Sequence, residues 1–202
     1  MAERRRLDWR AAVTVLVSTL LLVFDEYRVL WNSELLTRTL IYLIIPLALI
    51  VLVYRQSPAE YGWRLGDWRL GLALTVGGCL LMAGVVLVIG RMPAFSGYYG
   101  RQTAGAFPFW LADGIELLGW EFFFRGFLLF ALYRACGPLA ILLQAVPFTM
   151  AHVHKPELET WSCMFGGTAF GLIAWRTRSF LYPFLIHWFQ VSFMTLVASG
   201  AL

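Results

Sequence analysis

Gly119-Trp120-Glu121-Phe122-Phe123-Phe124-Arg125-Gly126 sets a carboxylate and a guanidinium four residues apart in an aromatic run. The run lies inside a longer apolar stretch, residues 107–133. A charge at membrane depth costs about 3 kcal/mol or more, so such a residue is kept mainly where it has a task. Four residues is one helical turn, so Glu121 and Arg125 share a face and can pair. One reading is a structural ion pair that tethers neighbouring helices; the other is chemistry. Arg125 suits the structural role better, because a guanidinium holds its proton near neutral pH. Asp113 and Glu116 precede them, but Glu116 sits about 140° around the helix from Glu121 and is no easy substitute.

The rest of the chain explains why that stretch lies in a membrane. Its 202 residues are 60% hydrophobic and 14% charged, with a mean hydropathy of +0.71. Soluble domains average about 25% charged residues. Seven apolar segments follow one another, over roughly 9–24, 35–54, 70–89, 107–133, 138–152, 158–175 and 180–198. The expected fold is all-α: a polytopic transmembrane bundle with about seven membrane segments around a polar intramembrane cavity. We expect one integral membrane domain over 1–202, with N-terminal helices in 1–106 and a core in 107–202. A full span needs about 20 residues, so the shorter fifth segment reads as a half-span or a tilted helix.

Arg4, Arg5, Arg6 and Arg10 lie at or before the first span, and no small-residue cleavage site follows Leu22, so the span reads as uncleaved. Arginine-bearing loops (Arg55, Arg64 and Arg69; Arg134; Arg176 and Arg178) alternate with poorer ones. The positive-inside bias then puts the N-terminus in the cytoplasm, and the expected location is a bacterial cytoplasmic membrane. The net charge of +4 reports this topology and gives no ground for nucleic-acid binding. Cys79, Cys136 and Cys163 lack metal spacing. Gly167 and Gly171 form a small-xxx-small pair that predicts close packing of the sixth helix.

Two more ionisable groups lie in apolar surroundings. His152 ends the fifth segment in Phe148-Thr149-Met150-Ala151-His152, followed by His154, Lys155, Pro156, Glu157 and Glu159. That polar stretch suits a loop lining a wet cavity. His187 sits about two turns into the last span, with Gln190 three residues on and on its face. Each histidine alone reads as a cap or a satisfied core residue. Three such groups on three helices change the reading, because a shared cavity lets them solvate one another. A carboxylate and a neutral imidazole can hold a water and take its proton, and a second imidazole can donate to the oxyanion.

These residues carry a resemblance. The chain resembles the CPBP family, the CAAX-type proteases and bacteriocin-processing enzymes, which are intramembrane glutamic endopeptidases. Trp120-Glu121-x-x-x-Arg125 is similar to the family's Glu-Glu-x-x-x-Arg, Phe148-x-x-x-His152 matches its Phe-x-x-x-His, and His187 opens its His-x-x-x-Asn. The resemblance spans roughly 108–196. It implies Glu121, His152 and His187 as catalytic, with Arg125 and Phe148 in support; Gln190, Glu157 and His154 are added as supporting candidates from their positions beside these residues. It also implies metal-free hydrolysis without a cofactor, and a membrane-embedded or lipid-proximal protein substrate. Two positions depart: the first glutamate is Trp120 and the asparagine is Val191. Either Glu121 takes the base role alone, Glu157 supplies a second carboxylate from the polar loop, or catalysis is lost and the chain is a scaffold or assembly subunit among other membrane subunits. Gln190 can stand in for the amide only by reaching across about 100° of helix. A zinc site from His152, His154, Glu157 and His187, and an ion path through the buried charges, are further readings. If the fifth and sixth segments both cross fully, His152 and His187 end near opposite faces. A fifth segment that stops within the bilayer removes that conflict.

Overall fold

The structure, a computed structural model, describes residues 8–100 and 109–202. Arg4, Arg5, Arg6, Arg101 and Phe107 lie outside the described residues. Everything regular among the described residues is helical. The helices are α1 (Trp9–Tyr27), α2 (Glu34–Val53), α3 (Trp68–Ile89), the short α4 (Pro93–Tyr99), α5 (109–136), α6 (Leu139–Met150), α7 (Glu157–Thr177) and α8 (Leu181–Ala198). Side-chain caps set several starts. Asp8, Ser33 and Asp67 accept from backbone N–H groups at the starts of α1, α2 and α3.

A helix forms over each of the seven apolar segments. Among the described residues α2, α3 and α8 are long and apolar enough to cross a membrane, and α6 is a shorter apolar helix. The other three carry more charge: Arg10, Asp25 and Glu26 on α1, Asp113, Glu116, Glu121 and Arg125 on α5, and Glu157, Glu159 and Arg176 on α7.

Position in the bundle explains how α5 tolerates its charges. It packs against α1, α2, α7 and α8, and every residue from Glu121 to Ala131 is buried. Between Glu121 and Leu129 the helix widens into π turns over Phe122–Leu128, a local expansion often found at functional sites. Phe122, Phe123, Phe124 and Phe127 join Tyr42, Tyr54 and Tyr61 in one aromatic core. The small-xxx-small expectation on α7 holds. A Cβ on Gly167 would lie 2.8 Å from the Phe148 ring, and one on Gly171 2.6 Å from Gln144 Nε2. Gln144 uses that close approach to donate to the Gly167 carbonyl at 2.8 Å.

The two ends of the bundle differ in charge. At one, the start of α1, the 54–68 connection and the turns after α5 and α7 gather. Arg134 pairs with Glu60 at 3.2 Å, Arg64 donates to the Arg178 carbonyl at 3.2 Å, and Tyr54 donates to the Arg10 carbonyl at 3.3 Å. At the other, Arg38 pairs with Glu116 at 2.6 Å and Asp25 at 3.4 Å, and His154 meets Glu26 at 3.0 Å. Arginine dominates the first end and carboxylates the second.

Candidate active site

Glu121 is fully buried near the middle of α5. Its Oε1 accepts from Arg125 Nη1 at 3.1 Å and from His187 Nδ1 at 2.6 Å. Arg125 is buried just as completely, with its guanidinium 3.8 Å from the centre of the Phe148 ring. A cation over an aromatic face recovers about 2 kcal/mol when desolvated, and removal of one member of a buried ion pair costs about 3–5 kcal/mol. The ion pair and the imidazole are therefore one unit joining α5 to α8. Glu121 Oε2 and Arg125 Nε and Nη2 have no hydrogen-bond partner among the described residues.

His152 reaches the same place from α6. That helix spans only 12 residues and is interrupted at Gln144, about 18 Å at 1.5 Å per residue. It stops short of a full crossing, so the conflict between His152 and His187 does not arise. His152 is buried, and its Nδ1 lies 2.7 Å from the carbonyl oxygen of Phe148. A carbonyl only accepts, so Nδ1 carries the proton and Nε2 is the free nitrogen. His187 has the same arrangement with a carboxylate as acceptor. The Phe148 ring touches both imidazoles, with centroids 4.4 Å from His152 and 6.2 Å from His187.

Two cavities meet at the histidines. A polar vestibule of about 370 Å³ is lined by Asp25, Glu34, Arg38, Glu116 and Trp120. An apolar groove of about 440 Å³ is lined by Leu81, Met82, Phe165, Ile173, Ile186 and Gln190. His152 and His187 line both, whereas Glu121 lines neither. Glu121 is thus placed to hold an imidazole rather than to touch a bound molecule.

The structure sorts the remaining candidates. Phe148 lies at the centre, through its carbonyl and its ring. Gln190 lines the groove beside His187. His154 is exposed and turns to Glu26 at the rim of the vestibule. Glu157 does not enter the cavity. It is exposed at the start of α7, accepts from Trp161 Nε1 at 3.3 Å and lines neither space. An acid there is favoured by the helix dipole. Glu159 takes the inward position instead, a placement that two acids two residues apart in a sequence do not reveal. It accepts from the Tyr99 hydroxyl at 2.7 Å and pairs with Lys155 at 3.2 Å. Burial raises the Tyr99 pKa, so its hydroxyl keeps the proton that it donates. Burial acts against the Lys155 ammonium, but Tyr99 and Glu159 outweigh it and hold its pKa above the ordinary value. The loop bearing His152 is thereby tied to α4 and α7. Thr160 adds a hydrogen bond to the His152 carbonyl at 2.6 Å. With His154 and Glu157 turned outward, the four proposed zinc ligands do not converge, and no group of three His, Cys, Asp or Glu among the described residues is placed to hold a metal.

Residues 105–193 match the family described as Type II CAAX prenyl endopeptidase Rce1-like. The matched stretch holds Glu121, Arg125, Phe148, His152 and His187 and covers less than half of the chain. No curated protein and no solved structure matches the chain. That similarity, together with the apolar helices, marks the chain as an integral membrane protein. The two positions that depart from the family pattern have distinct surroundings. Trp120 sets its indole edge-on to His152 with centroids 5.8 Å apart, in the vestibule wall. Val191 packs into a separate cluster with Val86, Phe95, Tyr99 and Met194.

Proposed function

We propose that this chain is an intramembrane endopeptidase that hydrolyses a peptide bond of a membrane-associated protein or peptide, with His152 and His187 as the residues that act on water. The observation that carries this reading is the pair of imidazoles with Nδ1 engaged and Nε2 free, where a polar vestibule meets an apolar groove. A water that donates to both free nitrogens is held between them. His187 takes the proton, and Glu121 behind it stabilises the imidazolium. The resulting hydroxide attacks the carbonyl carbon, the C–N bond breaks, and His187 returns the proton to the leaving amine. Glu121 is in this scheme a positioning residue, and Arg125 holds it in place. His152 donates through Nδ1 to Phe148, so as a neutral ring it has no N–H to offer an oxyanion. Gln190, the side-chain amide in the groove, takes that role in place of the family's asparagine.

The vestibule suits a polar peptide stretch and the groove an apolar segment, which favours a lipid-proximal substrate. The alternation of arginine-bearing loops supports seven crossings in one domain with the N-terminus in the cytoplasm. We assign no role to nucleic acid. A second reading, a family member without turnover that serves as a scaffold or assembly subunit, is favoured by Trp120, an indole where the family has its water-activating carboxylate.

Purified protein in bilayers, challenged with a panel of single-span reporter peptides, separates the two. Turnover falls at least 100-fold in His152→Ala and His187→Ala, and by less in Gln190→Ala. Trp120→Glu, which sets a carboxylate beside His152, raises it. Cleavage unchanged in both histidine variants overturns the mechanism. Absence of turnover in both the native chain and Trp120→Glu, with stable co-purification of a partner, favours the scaffold.

A further inference from the structure

The described lining of the vestibule reaches the histidines from one end of the bundle. Its walls come from the end of α1 (Asp25, Glu26), the start of α2 (Glu34, Arg38) and the turn after α6 (His154, Lys155). All belong to the carboxylate-rich end. The opposite end carries Arg10, Arg55, Arg64, Arg69, Arg134, Arg176 and Arg178 against Asp8, Glu60 and Asp67. Contacts hold these segments together: Asp67 N–H donates to the Thr177 carbonyl at 2.9 Å, and Phe180 N–H to the Gly62 carbonyl at 3.4 Å. Short connections rich in arginine stay on the cytoplasmic side, and acidic residues have little influence on that choice. The end with the vestibule contributes only Arg28, Arg38, Arg91 and Lys155 among its described residues, and Arg38 is engaged by Glu116 and Asp25.

We infer that the site opens to the extracytoplasmic face of the membrane, so that its substrates are peptides whose scissile stretch is presented on that side while an apolar segment stays in the bilayer. The groove fits the second half of this description. Leu81 and Phe165, both highly exposed, line it between α3 and α7, so it is open sideways to lipid. The substrate class follows from the proteolytic reading, but the direction of opening rests on charge and connectivity alone.

The test uses the full chain with Cys79, Cys136 and Cys163 replaced by alanine and single cysteines introduced at exposed positions. A membrane-impermeant maleimide on intact cells labels Glu34→Cys and Val153→Cys, whereas Arg64→Cys and Arg69→Cys react only after permeabilisation. The reverse pattern, or equal labelling of all four, overturns the inference. Should the cysteine-free chain not fold, fusions to the native chain read the same property. Arg91 donates to the Leu202 carbonyl at 3.1 Å, which places the C-terminus at the vestibule end. A C-terminal alkaline phosphatase is then active and a C-terminal green fluorescent protein dark, and the opposite outcome overturns the inference. Neither measurement needs turnover. A chain that cleaves nothing but labels as expected sinks the protease reading alone, and a cleaving chain with reversed labels sinks the orientation alone.

Discussion

The two histidines of the site have the same free nitrogen and opposite kinds of support. His187 is held by a side chain, the Glu121 carboxylate on another helix, and that carboxylate is held by Arg125. His152 is held by backbone, the Phe148 carbonyl one turn earlier on its own helix. A backbone acceptor fixes a ring without adding charge. A carboxylate fixes it and also places a negative charge beside it, and this difference in support is the ground on which the proposed mechanism makes His187 the proton carrier and His152 the orienting partner. It also makes them vulnerable in different ways. One side-chain substitution detaches His187, whereas only a shift of α6 or its turn detaches His152.

The largest expected effect comes from the side-chain support. Glu121→Ala leaves the Arg125 cation buried without its partner and should cost about 3–5 kcal/mol of stability, read as a lower unfolding midpoint in detergent. Glu121→Gln, which keeps an oxygen acceptor, should cost less. The chain has only three histidines, so nitrogen NMR of histidine-labelled protein reads each ring. Glu121→Gln should move the His187 signals and leave those of His152 in place. Equal movement of both would break the proposed division of support.

Backbone support is reached through packing. Gly167 lets α7 approach Phe148, whose carbonyl and ring serve His152 and Arg125. Gly167→Leu has no room and should destabilise by about 1–3 kcal/mol through overpacking. Its signature is displacement of His152 with turnover falling at least tenfold, while Gly166→Leu one residue away, where a Cβ meets nothing within 4 Å, stays near native. A Gly167→Leu protein that keeps native turnover would detach Phe148 from the argument.

The same contrast marks how far the residues could be read in advance. The seven longer helices were legible from hydropathy, because long apolar runs leave few alternatives to a helix, whereas the short α4 was not. The convergence of Glu121, His152 and His187 was legible as a shared cost of burial, and the stop of α6 short of the far face was legible from its length. What escaped was which of the three side chains faces the cavities. Sequence favours Glu121 as a base facing water, but packing seals it behind His187, and whether a carboxylate faces a cavity or a neighbouring helix depends on tertiary contacts that spacing does not encode. Glu157 and Glu159 show this at its smallest scale. They are two residues apart at a helix start, one points outward and one inward, and only the position of Tyr99 on a distant helix decides which.

The finest probe of the comparison is Thr160. Its hydroxyl donates to the His152 carbonyl at 2.6 Å and to nothing on α8, so it supports one histidine and not the other. Thr160→Val keeps the shape and removes the donor, leaving a carbonyl in a buried setting without that partner. A lost hydrogen bond of this kind costs about 1 kcal/mol, small enough to leave the fold intact. The turn after α6 loosens, the His152 nitrogen signals broaden or shift, and turnover drops a few-fold with KM unchanged, because orientation of water is affected rather than binding. His187 and its carboxylate stay as they were. A shift at His187 as large as that at His152 would mean that the two rings move as one body, and the separation of carrier from orienting partner would have to be abandoned.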